Sequence, residues 1–150
     1  MKKVILFVCF ACVAASATQA QGIESEVEKR NFIEVFVGVT HDDGENEASL
    51  GVTYERKFGR FGTGIIAEFT KAESRESVFA LPFFWHPAEP WRTVVAIGVE
   101  DSDDGDSFLA RVGASYEIEF SGWSLSPEVN FDFVDDSTVL VFGASFVWKF

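Results

Sequence analysis

The stretch VFGASFVWKF (residues 141–150) decides the fold. Phe146, Trp148 and Phe150 occupy every second position, and Lys149 lies between the last two of them. Because successive side chains of a β-strand point to opposite faces, this spacing predicts a strand with one apolar face and one mixed face. A helix would instead place its apolar residues three and four positions apart.

The same alternation runs back from this stretch to residue 31 and never gives way to a helical period. It predicts eight strands: Asn31–His41, Ala48–Phe58, Gly62–Lys71, Ser77–His86, Trp91–Val99, Phe108–Phe120, Ser124–Phe133 and Thr138–Phe150. After residue 20, no apolar run reaches the roughly 20 residues of a membrane-spanning helix, whereas a spanning strand needs only about 9–11. We therefore predict one all-β domain over residues 31–150, preceded by a polar lead-in at residues 21–30.

The two faces of the predicted strands differ in chemistry. One face is apolar along its length; the other carries charges together with Gly38, Gly51, Gly64, Gly98, Gly113 and Gly143. The four tryptophans fall near the same ends of the strands and predict an aromatic girdle: Trp85, Trp91, Trp123 and Trp148. A soluble barrel would turn the apolar face inward, but aromatic girdles are typical of a lipid-facing surface. We expect an eight-stranded antiparallel up-and-down transmembrane β-barrel with a charged lumen.

The connections between the predicted strands alternate in character. Those after strands two, four and six are tight and lie at residues 59–61, 87–90 and 121–123. The other four are acidic and lie at residues 42–47, 72–76, 100–107 and 134–137. Short turns on one side and longer polar loops on the other are typical of outer-membrane barrels, which predicts that both termini are periplasmic. Because proline lacks a ladder donor, we also expect a bulge at Pro82 and a late strand start near Pro127.

Residues 1–20 have the organisation of a cleaved secretory signal peptide. Lys2 and Lys3 precede the apolar segment 4–15, and small residues follow at residues 15–20. Both cysteines of the chain, Cys9 and Cys12, lie inside this segment, so the mature protein is expected to have no disulfide and no thiol chemistry. No leucine stands three residues before Cys12, which disfavours lipidation at that cysteine.

The final strand also resembles a known targeting element. Gly143, Phe146, Trp148 and Phe150 match the terminal assembly signal of bacterial outer-membrane proteins. The strand count and size resemble the eight-stranded OmpA/OmpX-like barrel class. The resemblance implies a Gram-negative cell outer membrane, with the barrel-assembly machinery and periplasmic chaperones as partners during biogenesis, and lipid and lipopolysaccharide as surroundings.

The charged face predicts an ion-pair network inside the barrel, with Arg92 and Arg111 as its central bases. The candidate members are Glu34, Glu55, Lys57, Glu68, Arg92, Arg111, Glu117, Glu119, Glu128, Asp132 and Lys149. Buried charges must be paired, because an unpaired one costs several kcal/mol. The network could fill and plug the lumen, or it could line a narrow gated path that, with acids in excess, favours cations.

One acidic connection is a weak metal candidate. Asp101, Asp103, Asp104 and Asp106 are dense in the oxygen ligands that calcium prefers, but the position that a bidentate Glu takes in an EF-hand is Val112. A solvated acidic loop is the preferred interpretation, so we expect no metal and no cofactor. Divalent ions could instead bridge the acidic loops to lipopolysaccharide phosphates.

Catalysis is the least favoured interpretation. Some barrels of this size resemble lipid A-modifying enzymes that use His with Ser and a carboxylate, whereas this chain has only His41 and His86, with no nucleophile motif beside either. We expect a rim histidine and a turn histidine. The net charge of −12 argues against nucleic acid as a partner.

We therefore expect a non-enzymatic, monomeric barrel with a structural or membrane-integrity role and a mostly plugged lumen. A narrow porin-like pore for small solutes or cations and a surface-binding adhesin remain as alternatives.

Overall fold

The structure is a computed structural model that describes residues 29–71, 75–102 and 105–150. The predicted signal peptide (1–20) and most of the lead-in lie outside the described residues. The strands are β1 (Asn31–Asp42), β2 (Glu45–Phe58), β3 (Phe61–Lys71), β4 (Arg75–Ala88), β5 (Trp91–Ser102), β6 (Gly105–Tyr116), β7 (Ile118–Glu119), β8 (Ser124–Val134) and β9 (Ser137–Lys149). No helix in this part of the chain is long and apolar enough to cross a membrane.

The strands form one closed antiparallel sheet. Each strand from β1 to β5 pairs with the next, β8 pairs with β9, and β9 pairs with β1. β6 and β7 are two segments of one barrel strand, separated by Glu117, and both pair with β8. The sheet therefore closes with eight strands, and the predicted up-and-down barrel is confirmed.

The strands are strongly staggered around the barrel. Following paired residues from His41 once around the barrel leads through Leu140, Phe131, Val112, Val95, Phe83, Thr63 and Arg56 to Asn31. The path returns to β1 ten residues from its start. With about 3.3 Å per residue and about 4.8 Å between strands, this stagger gives a tilt of about 40°, within the usual range of about 35–45°.

The two faces lie as the alternation predicted. On β1, Phe32, Glu34 and Phe36 are buried inside the barrel, while Ile33 and Val37 are exposed outside. Every strand presents large apolar side chains on the outer surface. Leu81, Ile97 and Phe108 are among the most exposed. Such a surface is stable only against lipid, because water would leave about 25 cal/mol per Å² of apolar area unfavourably hydrated.

Both ends of the barrel chain meet at one rim, called here the terminal end. The Phe150 amide donates to the Asn31 carbonyl at 2.9 Å, and the Asn31 amide donates back to the Phe150 carbonyl at 3.1 Å. These two hydrogen bonds extend the β1–β9 ladder to the last residue. The other rim, called the far end, carries the acidic connections.

The expected contrast between tight and long connections is wrong. β1 and β2 are joined by Asp43 and Gly44 alone, and β8 and β9 by Asp135 and Asp136 alone. Asp43, Gly44 and Asp135 have φ values of 45°, 89° and 48°, in the left-handed region that two-residue hairpins require and that Asp and Gly tolerate. The acidic residues beside these turns take ladder positions instead of forming loops. In the described residues, connection length therefore does not distinguish the two ends.

The two irregularities predicted at Pro82 and Pro127 are not found where they were expected. Pro82 pairs with Ala96 in unbroken register, and the irregularity between β4 and β5 lies between Trp85 and Ala88. On its other side, β3–β4 pairing lapses between Phe83 and Ala80, where Pro82 has no N–H to donate.

The strand that contains Pro127 does not begin late. β8 starts at Ser124, and the proline instead interrupts the neighbouring strand. Pairing of β6 with β8 ends at Ser115 opposite Glu128 and resumes at Ile118 opposite Leu125. The predicted sixth strand is thus divided into β6 and β7.

Candidate functional site

The lumen holds most of the predicted charge network in two separate groups. The first, the Arg92 cluster, consists of Arg92, Glu34, Glu55, Glu128 and His86. The second, the Arg111 cluster, consists of Arg111, Glu68 and Asp132. The inward positions of β1–β6 and β8 supply these side chains, because alternate residues of each strand face the lumen.

Arg92 contacts three carboxylates near the terminal end. Its Nη1 and Nη2 donate to the two oxygens of Glu34, the latter at 2.8 Å, and Nη1 also donates to Glu55 Oε2 at 3.2 Å. Glu128 Oε2 lies 3.8 Å from Nη2. The guanidinium stacks over Phe84, with 4.9 Å from Cζ to the ring centroid. A planar fork with five donors suits this multiple pairing better than an ammonium would.

His86 belongs to this cluster, which the sequence did not reveal. Its Nε2 lies 2.7 Å from Glu55 Oε1, and its side chain is almost buried. The sequence placed His86 at a turn, but β4 continues to Ala88 and turns the imidazole into the lumen. Its even spacing from Phe84 and Pro82, both inward, was the available signal.

The Arg111 cluster is compact and fully enclosed. Arg111 Nε and Nη2 donate to the two oxygens of Asp132, each at 2.6 Å, and Nη1 donates to Glu68 Oε2 at 2.8 Å. All three residues are buried. A bidentate charge-assisted pair of this kind fixes both distance and orientation.

An apolar layer separates the two clusters. Phe36 is the next inward residue after Glu34 on β1, and Ile66 is the inward residue before Glu68 on β3; both are buried. Gly38 and Gly143 flank the phenyl ring, and a Cβ built on Gly143 would lie 2.8 Å from Phe36 Cε2. Glycine at these two positions gives the ring its space.

A second apolar layer covers the Arg111 cluster toward the far end. Its buried residues are Val78, Leu109, Val134 and Val139. Only charged residues and glycine were expected in the lumen, so neither apolar layer was predicted. Segments that are apolar at consecutive positions, such as Val94–Ile97, carried the signal, because both faces of such a strand avoid water.

Three hydroxyls lie at the same far side of the Arg111 cluster. Thr40 Oγ1 and Ser49 Oγ are 2.5 Å apart, and Thr70 Oγ1 is 3.2 Å from Ser49 Oγ. All three residues are buried, and each hydroxyl can serve the others as donor or acceptor.

The remaining predicted network residues lie at the terminal rim. Lys149 Nζ is 2.8 Å from Glu117 Oε1 and 2.7 Å from Glu119 Oε1, and Glu119 is largely exposed. Lys57 Nζ lies over the Phe32 ring, 5.9 Å from its centroid, and pairs with no carboxylate among the described residues. The predicted network is therefore divided into two lumen clusters and a third group of charged residues at the terminal rim.

The empty space inside the barrel is small. A cavity of about 30 Å³ lies between the two clusters and is bordered by Phe36, Arg92, Arg111 and Asn130. A second cavity of about 20 Å³ lies near the terminal rim, bordered by His86 and Lys149. Since one water needs at least about 10–15 Å³ of such volume, each has room for only one or two waters.

The aromatic residues of the girdle and of the assembly signal face outward at the terminal end. Trp85, Trp91, Trp123 and Trp148 are each between a third and a little over half exposed, and Trp91 meets Tyr116 edge-on at 5.0 Å between centroids. Phe146 and Trp148 lie on the outer face of β9, Phe150 continues that face beyond the strand, and Gly143 faces the lumen.

The weak metal candidate is dispersed. Asp101 and Asp106 are cross-strand partners on β5 and β6, both exposed, and Asp103 and Asp104 lie outside the described residues. Within residues 29–71, 75–102 and 105–150, no group of three His, Cys, Asp or Glu side chains has the arrangement of a metal site. His41 Nδ1 lies 2.8 Å from Asn46 Oδ1 across the first hairpin.

Comparison with known proteins bears on the fold. No protein-family model and no curated protein matches the sequence. Among solved structures, the de novo designed transmembrane barrel TMB2.3 is 14% identical, with 82% of this chain and 97% of that chain covered and a TM-score of 0.58. The N-terminal barrel of Pseudomonas aeruginosa OprF is 12% identical, covering 81% and 98%, with a TM-score of 0.55. The Yersinia pestis outer membrane protein Ail is 12% identical, covering 82% and 100%, with a TM-score of 0.54.

The similarity extends over almost the full length of these barrels at very low identity. Such a likeness supports the fold and carries no information about ligand or activity. The chain has the architecture of the eight-stranded outer-membrane barrels, in agreement with the OmpA/OmpX-like class that the sequence resembles.

Proposed function

We propose that this protein is an outer-membrane barrel with a structural, membrane-integrity role and a lumen that is plugged by its own side chains. The observation that carries the proposal is the alternation of charged and apolar layers along the lumen. From the terminal end these are the Arg92 cluster, Phe36 with Ile66, the Arg111 cluster, and Leu109 with Val134. Beside the first apolar layer the described lumen leaves only a cavity of about 30 Å³, so a hydrated ion would lose most of its solvation in passing it.

The proposal includes export and assembly. A signal peptide at residues 1–20 would deliver the chain to the periplasm, where chaperones and the barrel-assembly machinery would recognise the final strand. The barrel would then lie among outer-membrane lipid and lipopolysaccharide as a monomer. The exposed apolar band and the aromatic girdle support this placement.

The experiment is single-channel recording from residues 21–150 refolded into planar lipid bilayers. Folding is verified first by the difference in gel mobility between unheated and boiled samples. A silent bilayer with folded protein is expected. Discrete current steps in the unmodified chain would contradict the plugged lumen.

A narrow cation path is the second candidate function, because carboxylates outnumber cations around the cavity between the two clusters. Glu34, Glu68 and Glu128 border that cavity together with only Arg92 and Arg111. A path of this kind predicts cation-selective steps whose amplitude changes in Arg111→Ala. The same recordings therefore separate the two candidates.

Binding and catalytic roles have less support. One solved structure is Ail in complex with the heparin analogue sucrose octasulfate, at 13% identity and a TM-score of 0.51. The far end of this chain is acidic, with Asp42, Asp43, Asp135 and Asp136 in its described part, and would repel a sulfated sugar. We also propose that the chain is not an enzyme, because each histidine contacts a structural partner, Asn46 or Glu55, with no nucleophile in the pair.

A further inference from the structure

The barrel wall has a seam at the terminal half of β6 and β8. Phe120 donates its amide to Trp123 at 2.8 Å, which marks the hydrogen-bonding phase of this ladder. In an antiparallel ladder, hydrogen-bonded pairs recur every two residues. Four residues from the Phe120–Trp123 pair along each strand, Tyr116 lies opposite Pro127 at another hydrogen-bonding position. Pro127 has no N–H, so the wall loses a bond there, and the pairs of Tyr116 and Glu117 are absent from the ladder.

A groove of about 360 Å³ lies on the lipid-facing side of this seam. Its outward-facing lining residues are Trp91, Ala114, Tyr116, Pro127, Val129 and Phe142, and the groove also reaches Glu128 and Gly143 of the inner face. Ala114 and Pro127 are small or flat, while Trp91, Tyr116 and Phe142 are large. The groove is therefore an open depression with aromatic and aliphatic walls.

The groove runs from the aromatic girdle toward the middle of the apolar band. Trp91 begins β5 at the terminal rim and packs against Tyr116, whereas Phe142 and Val129 are paired neighbours farther along the barrel. Indole and phenol groups favour the headgroup level of a bilayer, and aliphatic and phenyl groups favour the hydrocarbon. The polarity of the lining thus matches a lipid lying along the membrane normal, headgroup at the rim.

We propose that this groove is a binding site for one acyl chain of a phospholipid in the leaflet nearest the chain termini. It is continuous with the apolar outer surface that the fold presents to lipid, so an extended hydrocarbon chain can enter it directly. An acyl chain in the groove makes the apolar contacts that the small residues leave unmade, and these contacts stabilise the bound lipid. This inference rests on the barrel fold alone and is independent of whether the lumen conducts.

The test is native mass spectrometry of residues 21–150 refolded in a mild detergent with dioleoyl phosphatidylethanolamine added. The wild-type barrel is expected to retain one phospholipid. Ala114→Leu fills the groove and should lower the lipid-bound fraction at least fivefold. Ala67→Leu, the same change at another outward alanine of the lipid face, should leave it unchanged.

A second pair of variants guards against a folding defect in Ala114→Leu. Tyr116→Ala removes a wall of the groove and should reduce retention at least threefold, while Tyr54→Ala, at the other tyrosine of the outer face, should not. Equal retention in both pairs, or no retained lipid in the wild type, overturns the proposal. A dimer that Ala114→Leu dissociates would also overturn it, because the groove would then bind a second copy of the chain.

Discussion

The Arg92 and Arg111 clusters use the same chemistry in two different environments. Arg111 is 3% exposed, pairs with two carboxylates and lies between two apolar layers. Arg92 is 12% exposed, faces three carboxylates and adjoins the cavity at the terminal rim. The cost of removing one partner from an ion pair in a barrel lumen therefore depends on the access of water to the other partner. A charge that loses its partner is stabilised only where water can replace that partner.

Removal of each arginine tests this comparison most directly. Loss of a partner from a buried ion pair costs about 3–5 kcal/mol, and we expect Arg111→Ala near the upper limit and Arg92→Ala near the lower one. The carboxylates of both clusters are buried, but Arg92 borders the cavity near the terminal rim. Its removal therefore opens Glu34 and Glu55 to that cavity, whereas Glu68 and Asp132 do not border it. Urea unfolding in lipid vesicles, followed by tryptophan fluorescence, gives both free energies.

Arg60→Ala is the control for these variants, because Arg60 lies exposed in the β2–β3 turn and its loss should be close to neutral. Equal destabilisation by Arg92→Ala and Arg111→Ala would show that the two clusters do not differ in water access.

The layer between the clusters is the next largest determinant. Truncation of a buried phenyl ring costs about 3–5 kcal/mol, and we expect Phe36→Ala at about 3 kcal/mol because the neighbouring cavity can admit water. Loss of the ring would widen the small cavity that borders both arginines and should produce conductance steps where the wild type has none. Phe84→Ala removes a ring that is equally buried but lies over Arg92 itself, so it controls for loss of volume without removal of the layer. Silent recordings from folded Phe36→Ala would place the main barrier elsewhere, at Leu109 and Val134.

Neutralising one carboxylate in each cluster gives a smaller and sharper contrast. Asp132→Asn breaks a bidentate pair with Arg111 and should cost about 2 kcal/mol, in the range for a hydrogen bond to a charged group. Glu128 is the most distant of the three carboxylates around Arg92 and its removal relieves the excess of negative charge, so Glu128→Gln should change stability by less than about 0.5 kcal/mol. Equal losses would contradict the view that the Arg92 cluster carries surplus acid.

The hydroxyl group beside the Arg111 cluster should show the smallest effect. Ser49→Ala removes the central hydroxyl and should cost about 1 kcal/mol, the usual net value of a buried neutral hydrogen bond. Ser137→Ala, at an exposed position at the start of β9, should be neutral. A neutral Ser49→Ala would mean that Thr40 and Thr70 re-pair without it.

Much of the fold could be predicted because alternation is a local property. The period of two identified the strands, and the apolar face of each strand was assigned correctly as the outer surface. Connections were predicted less well: residues 42–47 read as a loop, yet Asp43 and Gly44 suffice for the turn and Glu45–Glu47 belong to β2. Acidic composition indicates exposure to water, and a strand that extends beyond the membrane is exposed too.

The sequence identified the arginines and carboxylates of the two clusters, but not their grouping or the other residues around them. Arg92, Arg111 and their carboxylates were identified from the charged face alone. His86 was missed as a partner of Glu55, and Phe36 and Leu109 were missed as lumen residues, because an apolar or aromatic side chain on the inner face interrupts the expected polar pattern. The pairing of Arg111 with Glu68 and Asp132 also depends on residues 43 and 21 positions away in the chain.

The sequence by itself determined the strand period, the number of strands and the face that meets lipid, since each follows from which side chains tolerate water or hydrocarbon along one strand. The tertiary structure alone decided the stagger of ten residues and, with it, which inward side chains share a level. Those levels separate Arg92 from Arg111 and place Pro127 opposite Tyr116. Register is a relation between strands, so no property of a single strand specifies which distant residues will be neighbours.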